Sequence, residues 1–302
     1  MDISLKKENV FTKQRKKLMN KIAIVTDSTA YLPKTFIESH NIRVVPLKLH
    51  WDGITLVDGV DITPVQFYER LEKSSTIPTT SQPSAGDFLQ VFKKLANIYD
   101  GIVAPLISSG ISGTVDSAQA AVSMFSEIPV EIIDTHSTSG GLGLVVTAVA
   151  QAVSDGKSLK EIKQLAEDIV KRLNLFFVVD TLKYLHKGGR IGGASRYFGT
   201  VLSIKPILYL NEEGKIDALE KVRTKRKAIE RLIQLAVEKA DGKPVNVGVM
   251  HANALEEVKD LRDQLLKQLD CLPIEIYAIS PTIGTHVGPG SIGLAIYTLK
   301  GK

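Results

Sequence analysis

The chain has 302 residues, of which 44% are hydrophobic and 24% charged, the balance of an ordinary globular protein that can bury a core. Its formal charge of +5 is concentrated in residues 1–20, where six Lys/Arg outnumber two acids, so residues 21–302 carry only +1 and offer no general basic field to DNA or RNA. The single cysteine, Cys271, excludes an intrachain disulfide or a multi-cysteine zinc site and fits a reducing, cytoplasmic location.

Residues 1–20 lack the apolar stretch of a signal peptide, and we interpret them as a flexible basic tail. The longest apolar run, at 142–153, is interrupted by Thr147 and Gln151. A run of this length is too short to cross a bilayer, so it predicts a buried helix, and we expect no integral membrane segment.

From residue 21 onward, strands alternate with helices. Continuous apolar runs are typical of parallel strands that are covered on both faces. The predicted strands lie at 22–26, 44–49, 101–107 and 130–133. The predicted helices lie at 31–39, 61–73, 86–96, from 114 to about 126, 142–153 and 159–173. This alternation predicts an N-terminal α/β domain over 21–174, built on a doubly wound, mainly parallel sheet.

Three polar loops, at 27–29, 108–114 and 134–139, follow predicted strands of this domain. Open α/β sheets bind ligands in the crevice outside the carboxyl ends of their strands. The coincidence of three such loops therefore favours a binding site at that edge.

Residues 79–84, Thr-Thr-Ser-Gln-Pro-Ser, form an uncharged stretch rich in hydroxyl groups. Pro78 and Pro83 disfavour helix in the residues before them, which predicts an extended or turned conformation. Hydroxyls and free backbone N–H groups in such a turn suit an oxygen-rich anion. The alternative is that Ser84 simply caps the helix that follows.

After residue 175 the pattern changes. A strand at 176–179 is followed by a short helix at 181–186 and a glycine-rich loop at 187–193. A hairpin turns at 213–214, and the remaining segments are helices at 225–239 and 255–269 between strands at 245–250, 274–279 and 293–299. We predict a C-terminal mixed-sheet α/β domain over 175–302.

Several familiar chemistries find no support. The chain has no G-x-x-x-x-G-K-[ST] phosphate loop, and its six histidines never pair at metal-ligand spacing, so no metal site is expected. Ser112 almost matches the G-x-S-x-G nucleophile elbow, with Gly110 in place but Thr114 where the second glycine belongs. A serine hydrolase therefore stays open as an alternative.

Two polar positions and one basic segment have both a functional and an ordinary interpretation. His286 and Arg190 each lie between glycines, where they are either solvated or aimed at a ligand. Residues 221–227 place five cations around the start of a helix that Thr224 should cap, where cations oppose the helix dipole. We favour a docking surface for an acidic or phosphate-bearing partner over a merely solvated face.

Seven motifs in order resemble the DegV family of bacterial fatty-acid-binding proteins, and together they are specific although each alone is weak. The motifs are IVTDST (24–29), TSQPS (80–84), SSGISGT (108–114), DTLKYL (180–185), KGGRI (187–191), KVRT (221–224) and HVGPG (286–290). The resemblance runs from about residue 21 to the C-terminus and leaves only the basic tail outside it. It implies two α/β domains with one long-chain fatty acid buried between them and no other cofactor.

The resemblance also implies a role for particular residues. The hydroxyls of Thr80 and Ser109 would hold the fatty acid carboxylate with His286 nearby, and Ser81 and Gly110 would lie close to that site. Arg190 and Arg223 match the family's basic loop positions and would face a separate ATP-binding kinase subunit or the transferring phosphate. Arg190 is also a candidate near the carboxylate site, and Arg226 belongs to the basic segment that we interpret as a docking surface.

Members of this kind serve as the lipid-binding subunit of a two-part fatty acid kinase, whose acyl phosphate product enters phospholipid synthesis. We therefore expect the chain to be non-catalytic on its own. The alternatives are a self-sufficient hydrolase or phosphotransferase that uses Ser112 or Ser109 with His286, and a passive lipid store or sensor without a kinase.

Overall fold

A computed structural model of the chain describes residues 21–199 and 204–300. The predicted basic tail over 1–20 lies outside the described residues. The described strands are β1 (Ile22–Asp27), β2 (Arg43–Val45), β3 (Lys48–Trp51), β4 (Ile54–Val57), β5 (Thr79–Ser81), β6 (Gly101–Leu106), β7 (Val130–Asp134), β8 (Asn174–Val178), β9 (Lys205–Leu210), β10 (Ile216–Val222), β11 (Val245–His251), β12 (Glu275–Ala278) and β13 (Ile292–Thr298). The described α-helices are α1 (Lys34–Ser39), α2 (Pro64–Lys73), α3 (Ala85–Ala96), α4 (Thr114–Ser123), α5 (Ser139–Ser154), α6 (Leu159–Arg172), α7 (Lys183–Lys187), α8 (Lys225–Ala240), α9 (Leu255–Gln268) and α10 (Pro281–Val287).

The first half of the chain forms a parallel sheet with strand order β2-β1-β6-β7. Alternate residues of β1 enter different cores: Ala23 and Val25 pack with α3 and α4, whereas Ile22 and Ile24 pack with α5 and α6. Helices therefore cover both faces of the sheet, which explains why its strands read as unbroken apolar runs. The predicted doubly wound parallel sheet is confirmed.

The second half forms a six-stranded sheet with order β10-β9-β8-β13-β11-β12. All neighbours in it are antiparallel except β11 and β12, so the predicted mixed sheet is confirmed. Helices α8 and α9 pack on one face of this sheet. Two short 3₁₀ turns, Ser28–Ala30 and Gly192–Tyr197, complete the described elements.

Helix α5 lies between the two sheets, in contact with β1 and β6 on one side and with β11 and β13 on the other. A helix that is apolar all round must be buried, which is the prediction made for residues 142–153. Glycines in α5 allow the second sheet to approach this helix closely, since a Cβ added to Gly143 would lie 2.5 Å from a ring carbon of Tyr277 in β12. The helix therefore joins both halves of the molecule to one core.

Two predicted segments differ from the structure. The strand predicted at 44–49 is divided, because β2 joins the parallel sheet and β3 enters a three-stranded antiparallel sheet of order β4-β3-β5. Pro46 lies between them and has no N–H to donate to a sheet ladder. The segment around His286, to which no element was assigned, is helix α10.

Local sequence signals predicted the helix starts well. Thr63 is the N-cap of α2 and forms a capping box with Gln66, and Pro64 is the first helical residue. Thr224 caps α8 by accepting from the N–H of Lys227. Ser84 also forms a capping box, with Asp87, so the ordinary interpretation of that serine is correct. Within the described residues, no helix is long and apolar enough to cross a membrane.

Candidate functional site

The centre of the candidate site is a contact between two residues that are far apart in the chain. Thr80 lies on β5, where it pairs with Leu49 of β3. Its Oγ1 is 2.8 Å from Nε2 of His286 on α10, which is a hydrogen bond across 206 positions of sequence. Two of the predicted carboxylate-binding residues are therefore adjacent.

Helix α10 is held in place by close packing. Ser280 caps it, Pro281 occupies its first turn, and Gly288 ends it with φ 75°. Gly284 allows α10 to approach α2, since a Cβ there would lie 2.6 Å from the Tyr68 hydroxyl, which donates to the Ile279 carbonyl at 3.2 Å. The imidazole of His286 is thus fixed by the position of its helix.

His286 is a neutral imidazole in this environment. Burial lowers its pKa from 6.5 to about 4, and the nearby positive charge of Arg190 acts in the same direction. Among the described residues, its buried Nδ1 has no hydrogen-bond partner. Near neutral pH the ring can therefore donate or accept a proton in a hydrogen bond, but it supplies no full positive charge.

A narrow cavity lies beside this pair, and about 60 Å³ of it is open to the centre of a water molecule. Its walls come from both halves of the molecule and are mainly aliphatic. The apolar lining residues are Leu47, Ile107, Ile111, Leu175, Phe177, Leu210, Ile216, Met250, Ile279, Ile283 and Val287. The polar lining residues are Thr80, Ser81, Gln82, Ser112, Thr138, Ser139, Arg190, Thr282 and His286. Such a cavity suits a long apolar ligand with one polar end.

Ser109 and Gly110 are not part of this lining. They lie in a shallow neighbouring cleft that shares four residues with the cavity, Ile111, Ser112, Arg190 and Ile216. Ser109 is exposed, and its N–H faces the Asp134 carboxylate at 3.3 Å. The role of Ser109 in holding a carboxylate stays a prediction. In that role, Ser109 would contact the carboxylate from the cleft and not from inside the cavity.

The loop that contains Ser109 is fixed by buried hydrogen bonds. The carboxylate of Asp27 accepts from the N–H of Ile107 at 2.7 Å, and burial raises the pKa of this carboxyl. The Ser108 hydroxyl donates to the Gly214 carbonyl at 2.8 Å. Gly110 has no room for a side chain, because a Cβ would lie 2.5 Å from the Glu213 carbonyl oxygen. The loop therefore has one defined position against the β9–β10 hairpin.

A second buried acid, Asp58, stands behind α10. It accepts from the Ser28 hydroxyl at 2.8 Å, and burial raises its pKa from 3.8 to about 6. Ser280 and Thr282 are near enough to lower that pKa in part. Among the described residues, however, Thr282 Oγ1 and Asp58 Oδ1 have no partner within hydrogen-bond geometry. The hydrogen bond to Asp58 therefore comes from Ser28, and Thr282 is a close neighbour only.

Arg190 is exposed and borders both the cavity and the cleft. Its guanidinium donates to the carbonyls of Gly188 at 2.9 Å and Ile111 at 3.3 Å. Backbone carbonyls hold the group without neutralising it, so its positive charge remains available beside the cavity.

The two predicted docking arginines have different surroundings. Arg226 is exposed and forms an ion pair with Glu230 at 2.9 Å on its own helix. Arg223 is also exposed, and no ion pair is found for it among the described residues. Of the two, Arg223 is the more available to a partner.

The arrangement gives no support to a serine nucleophile. The Ser112 hydroxyl is 2.9 Å from that of Thr114, and His286 Nε2 is engaged by Thr80. Across residues 21–199 and 204–300, no hydrogen bond joins Ser109 or Ser112 to a histidine. A triad requires a nucleophile within hydrogen-bond reach of its base.

Sequence reasoning missed three polar lining residues, Thr138, Ser139 and Thr282. The first two belong to the polar loop at 134–139, which pointed to a site without distinguishing its members. Thr282 had no signal, because no element was predicted for its short helix.

Comparison with known proteins gives one family. A family model described as "Uncharacterised protein, DegV family" matches residues 21–299. The chain is similar to a fatty-acid-binding DegV family protein from Thermus thermophilus, with 33% identity, a TM-score of 0.88, and 92% of this chain and 100% of that chain covered. It is also similar to DegV, a fatty acid binding protein from Bacillus subtilis, with 35% identity, a TM-score of 0.84 and 92% and 99% coverage. A third similar structure is a fatty acid (stearic acid)-binding protein from Eubacterium ventriosum, with 27% identity, a TM-score of 0.82 and 92% and 98% coverage.

Proposed function

The chain belongs to the DegV family, and from that premise we propose that it binds one long-chain fatty acid in the cavity between its two halves. The carboxylate lies toward Thr80 and His286, and the tail runs between the aliphatic walls. The observation that carries the proposal is the apolar cavity bordered by the Thr80–His286 hydrogen bond. The two halves correspond to domains over 21–174 and 175–302.

The energetics favour a carrier that retains its ligand. Burial of each methylene contributes about 0.8 kcal/mol, so some fourteen methylenes contribute roughly 11 kcal/mol before the costs of binding. A neutral pair of hydroxyl and imidazole is then sufficient to orient the carboxylate, because the tail supplies most of the affinity. Similar proteins described as binding fatty acids, one of them stearic acid, support this ligand class.

Native mass spectrometry of the purified protein tests the proposal. We expect one fatty acid of about fourteen to eighteen carbons per chain, and uptake of hexadecanoic acid after delipidation. Thr80→Val tests whether the hydroxyl of Thr80 is needed to bind the fatty acid, since it keeps the shape of the side chain and removes that hydroxyl. Ser123→Ala, on the exposed end of α4, is the matched control. Protein that stays empty after incubation with fatty acids would exclude the proposal.

We further propose that the protein presents the carboxylate to a separate ATP-dependent kinase subunit in the cytoplasm, and that the acyl phosphate feeds phospholipid synthesis. The chain has no recognisable phosphate-donor motif of its own, and phosphoryl transfer requires mainly placement and positive charge. Arg190 supplies such a charge beside the cavity. We expect acyl phosphate formation with the kinase subunit to be slower for Arg190→Ala and for Ser109→Ala than for the wild type. Wild-type rates in both variants would remove these residues from the site.

A further inference from the structure

Two successive residues in the wall of the cavity, Thr138 and Ser139, carry hydroxyl groups that have no part in the carboxylate site. They are 8% and 1% exposed, and neither hydroxyl oxygen has a hydrogen-bond partner among the described residues. The hydroxyl of Thr282 is likewise without a partner there, but it lies beside Asp58. Ser137 Oγ is also buried without a partner among the described residues, whereas two threonines nearby in the chain are satisfied in the ordinary way. Thr135 donates to the Leu106 carbonyl at 2.7 Å, and Thr147 donates to the Gly143 carbonyl at 2.9 Å.

These two hydroxyls stand at the start of α5, the sixteen-residue helix between the two sheets. Thr138 occupies the N-cap position, yet its side chain forms no capping hydrogen bond. Ser139 has φ 49°, a left-handed conformation that residues other than glycine seldom adopt. The N-terminus of a helix carries partial positive charge and favours an acceptor atom. Unpartnered buried hydroxyls and a helix N-terminus therefore meet at one place on the cavity wall.

We infer that Thr138 and Ser139 form a second polar subsite, which takes an oxygen substituent on the acyl chain. The inference rests on the proposed function, since it assigns a substrate class to the same cavity. A plain methylene chain would lie against two hydroxyls and leave them unpaired, which is unfavourable in a buried site. A hydroxyl or keto oxygen on the chain pairs with them. The ligand class is thus an oxygenated long-chain fatty acid.

The position of the subsite predicts which isomers bind best. The carbonyl of Ser137, next to Thr138, accepts from the N–H of Ser108 at 2.8 Å. Ser108 lies in the loop whose Ile111 carbonyl accepts from Arg190, and the charge of Arg190 acts on His286 at the carboxylate end. We therefore expect the subsite toward that end, so that an oxygen on the first half of the acyl chain reaches it and an oxygen on the terminal carbon does not.

Competitive binding to the delipidated full chain tests the inference, with hexadecanoic acid and its β-, δ- and ω-hydroxy derivatives as probes. The ω-hydroxy acid is the matched control, because it has the same atoms and the same polarity as the other two isomers. We expect the β- or δ-hydroxy acid to bind at least tenfold more tightly than the ω-hydroxy acid. In the double variant Thr138→Val with Ser139→Ala, we expect that preference to disappear and hexadecanoic acid to bind more tightly than it does to the wild type.

Two further variants separate a binding role from a structural one. Thr138→Ser retains a hydroxyl and should retain the preference. Thr285→Val, on α10, removes a hydroxyl that donates to the Pro281 carbonyl at 3.0 Å and should leave the ranking of the four acids as in the wild type. Equal affinity for the β-, δ- and ω-hydroxy acids in the wild type, or a preference that survives in the double variant, overturns the inference and leaves an ordered water as the partner of these hydroxyls. Failure of all four acids to bind overturns the proposed function instead.

Discussion

The imidazole of His286 leaves no room for a side chain at Gly188. A Cβ added to Gly188 would lie 2.1 Å from His286 Nδ1 and 2.8 Å from its Cε1. The glycine in the loop before Arg190 is therefore required for the position of the ring. Its backbone is not in the left-handed region, so the requirement is one of space and not of conformation.

Gly188→Ala should displace His286 and break its hydrogen bond to Thr80. We expect fatty acid binding to weaken by tenfold or more, with a loss of stability of about 1–3 kcal/mol from overpacking. Titration with a fluorescent fatty acid measures the first effect, and urea unfolding measures the second.

The adjacent Gly189 is the control for this substitution. It has φ 68°, but no atom lies within 4 Å of its added Cβ. Gly189→Ala should strain the backbone and cost stability while leaving affinity close to that of the wild type. Equal affinity in the two variants would mean that contact with His286 does not govern binding.

Asp58 should give the protein a specific dependence of stability on pH. Its folded-state pKa of about 6 lies above the ordinary value of 3.8, so the folded state retains a proton that the unfolded state has lost. Stability from this group is present at low pH and is lost as pH rises through 6, by about 3 kcal/mol in total. His286, whose pKa is lowered, acts in the opposite direction: it costs stability as pH falls from 6.5 toward 4.

Comparison with Asp58→Asn isolates the carboxyl from the histidine. The difference in unfolding free energy between wild type and variant should change by about 3 kcal/mol between pH 4 and pH 8, in favour of the variant at high pH. Nearby Tyr31 and Tyr68 have pKa values raised above 10 and do not titrate in this range. Denaturant unfolding at several pH values measures the difference, and a difference that is constant with pH would show that Asp58 is not destabilised by burial.

At the scale of elements, helices α5 and α10 show what a sequence can and cannot predict. Helix α5 was predicted because its residues are apolar on every side, a local property of the sequence. Helix α10 was missed, because seven residues that include Pro281, Thr282, Gly284 and Thr285 have weak intrinsic helix preference. Its stability comes from packing on α2 and α7, which no local pattern reports.

Gly284→Ala tests this account of α10. Intrinsic preference alone would stabilise the helix by nearly 1 kcal/mol. The added methyl would, however, lie 2.6 Å from the Tyr68 hydroxyl and 2.8 Å from a ring carbon of Phe67. We expect a net loss of about 1–3 kcal/mol in urea unfolding, together with weaker fatty acid binding, because the helix that holds His286 must move.

Gly86→Ala, in the first turn of α3, is the matched control. Its new methyl would meet only the Ser84 hydroxyl, at an ordinary 3.6 Å. This variant should be more stable than wild type by a few tenths of a kcal/mol to about 1 kcal/mol. If both substitutions stabilise, α10 does not depend on close packing with α2.

At the scale of the whole molecule, the two sheets share one hydrophobic core that runs through α5. The fold class followed from the order of strands and helices, since that order is written locally along the chain. The site did not follow in the same way. Thr80 and His286 meet only because β5 and α10 pack together, and Ser109, assigned to the same carboxylate by resemblance, borders the adjoining cleft.

Ion pairs neutralise part of the surface charge around the start of α8. Lys225 and Arg226 are engaged by Glu257 and Glu230, so part of the predicted basic surface is already neutralised. Arg223 is exposed, and the described part of the chain gives it no such acid. An unneutralised cation steers an acidic partner more strongly than a paired one. Arg223→Glu should therefore weaken association with the proposed kinase subunit by at least tenfold at low salt, and Arg226→Glu by clearly less.

Surface plasmon resonance with lipid-loaded protein at two salt concentrations measures both variants against wild type. Added salt should reduce the difference between wild type and Arg223→Glu, because exposed charges are screened beyond a Debye length of about 10 Å at 0.1 M. Native mass spectrometry should find the same bound fatty acid in all three proteins, which separates docking from lipid binding. Equal losses for the two arginines would show that net charge, and not the unpaired side chain of Arg223, governs association.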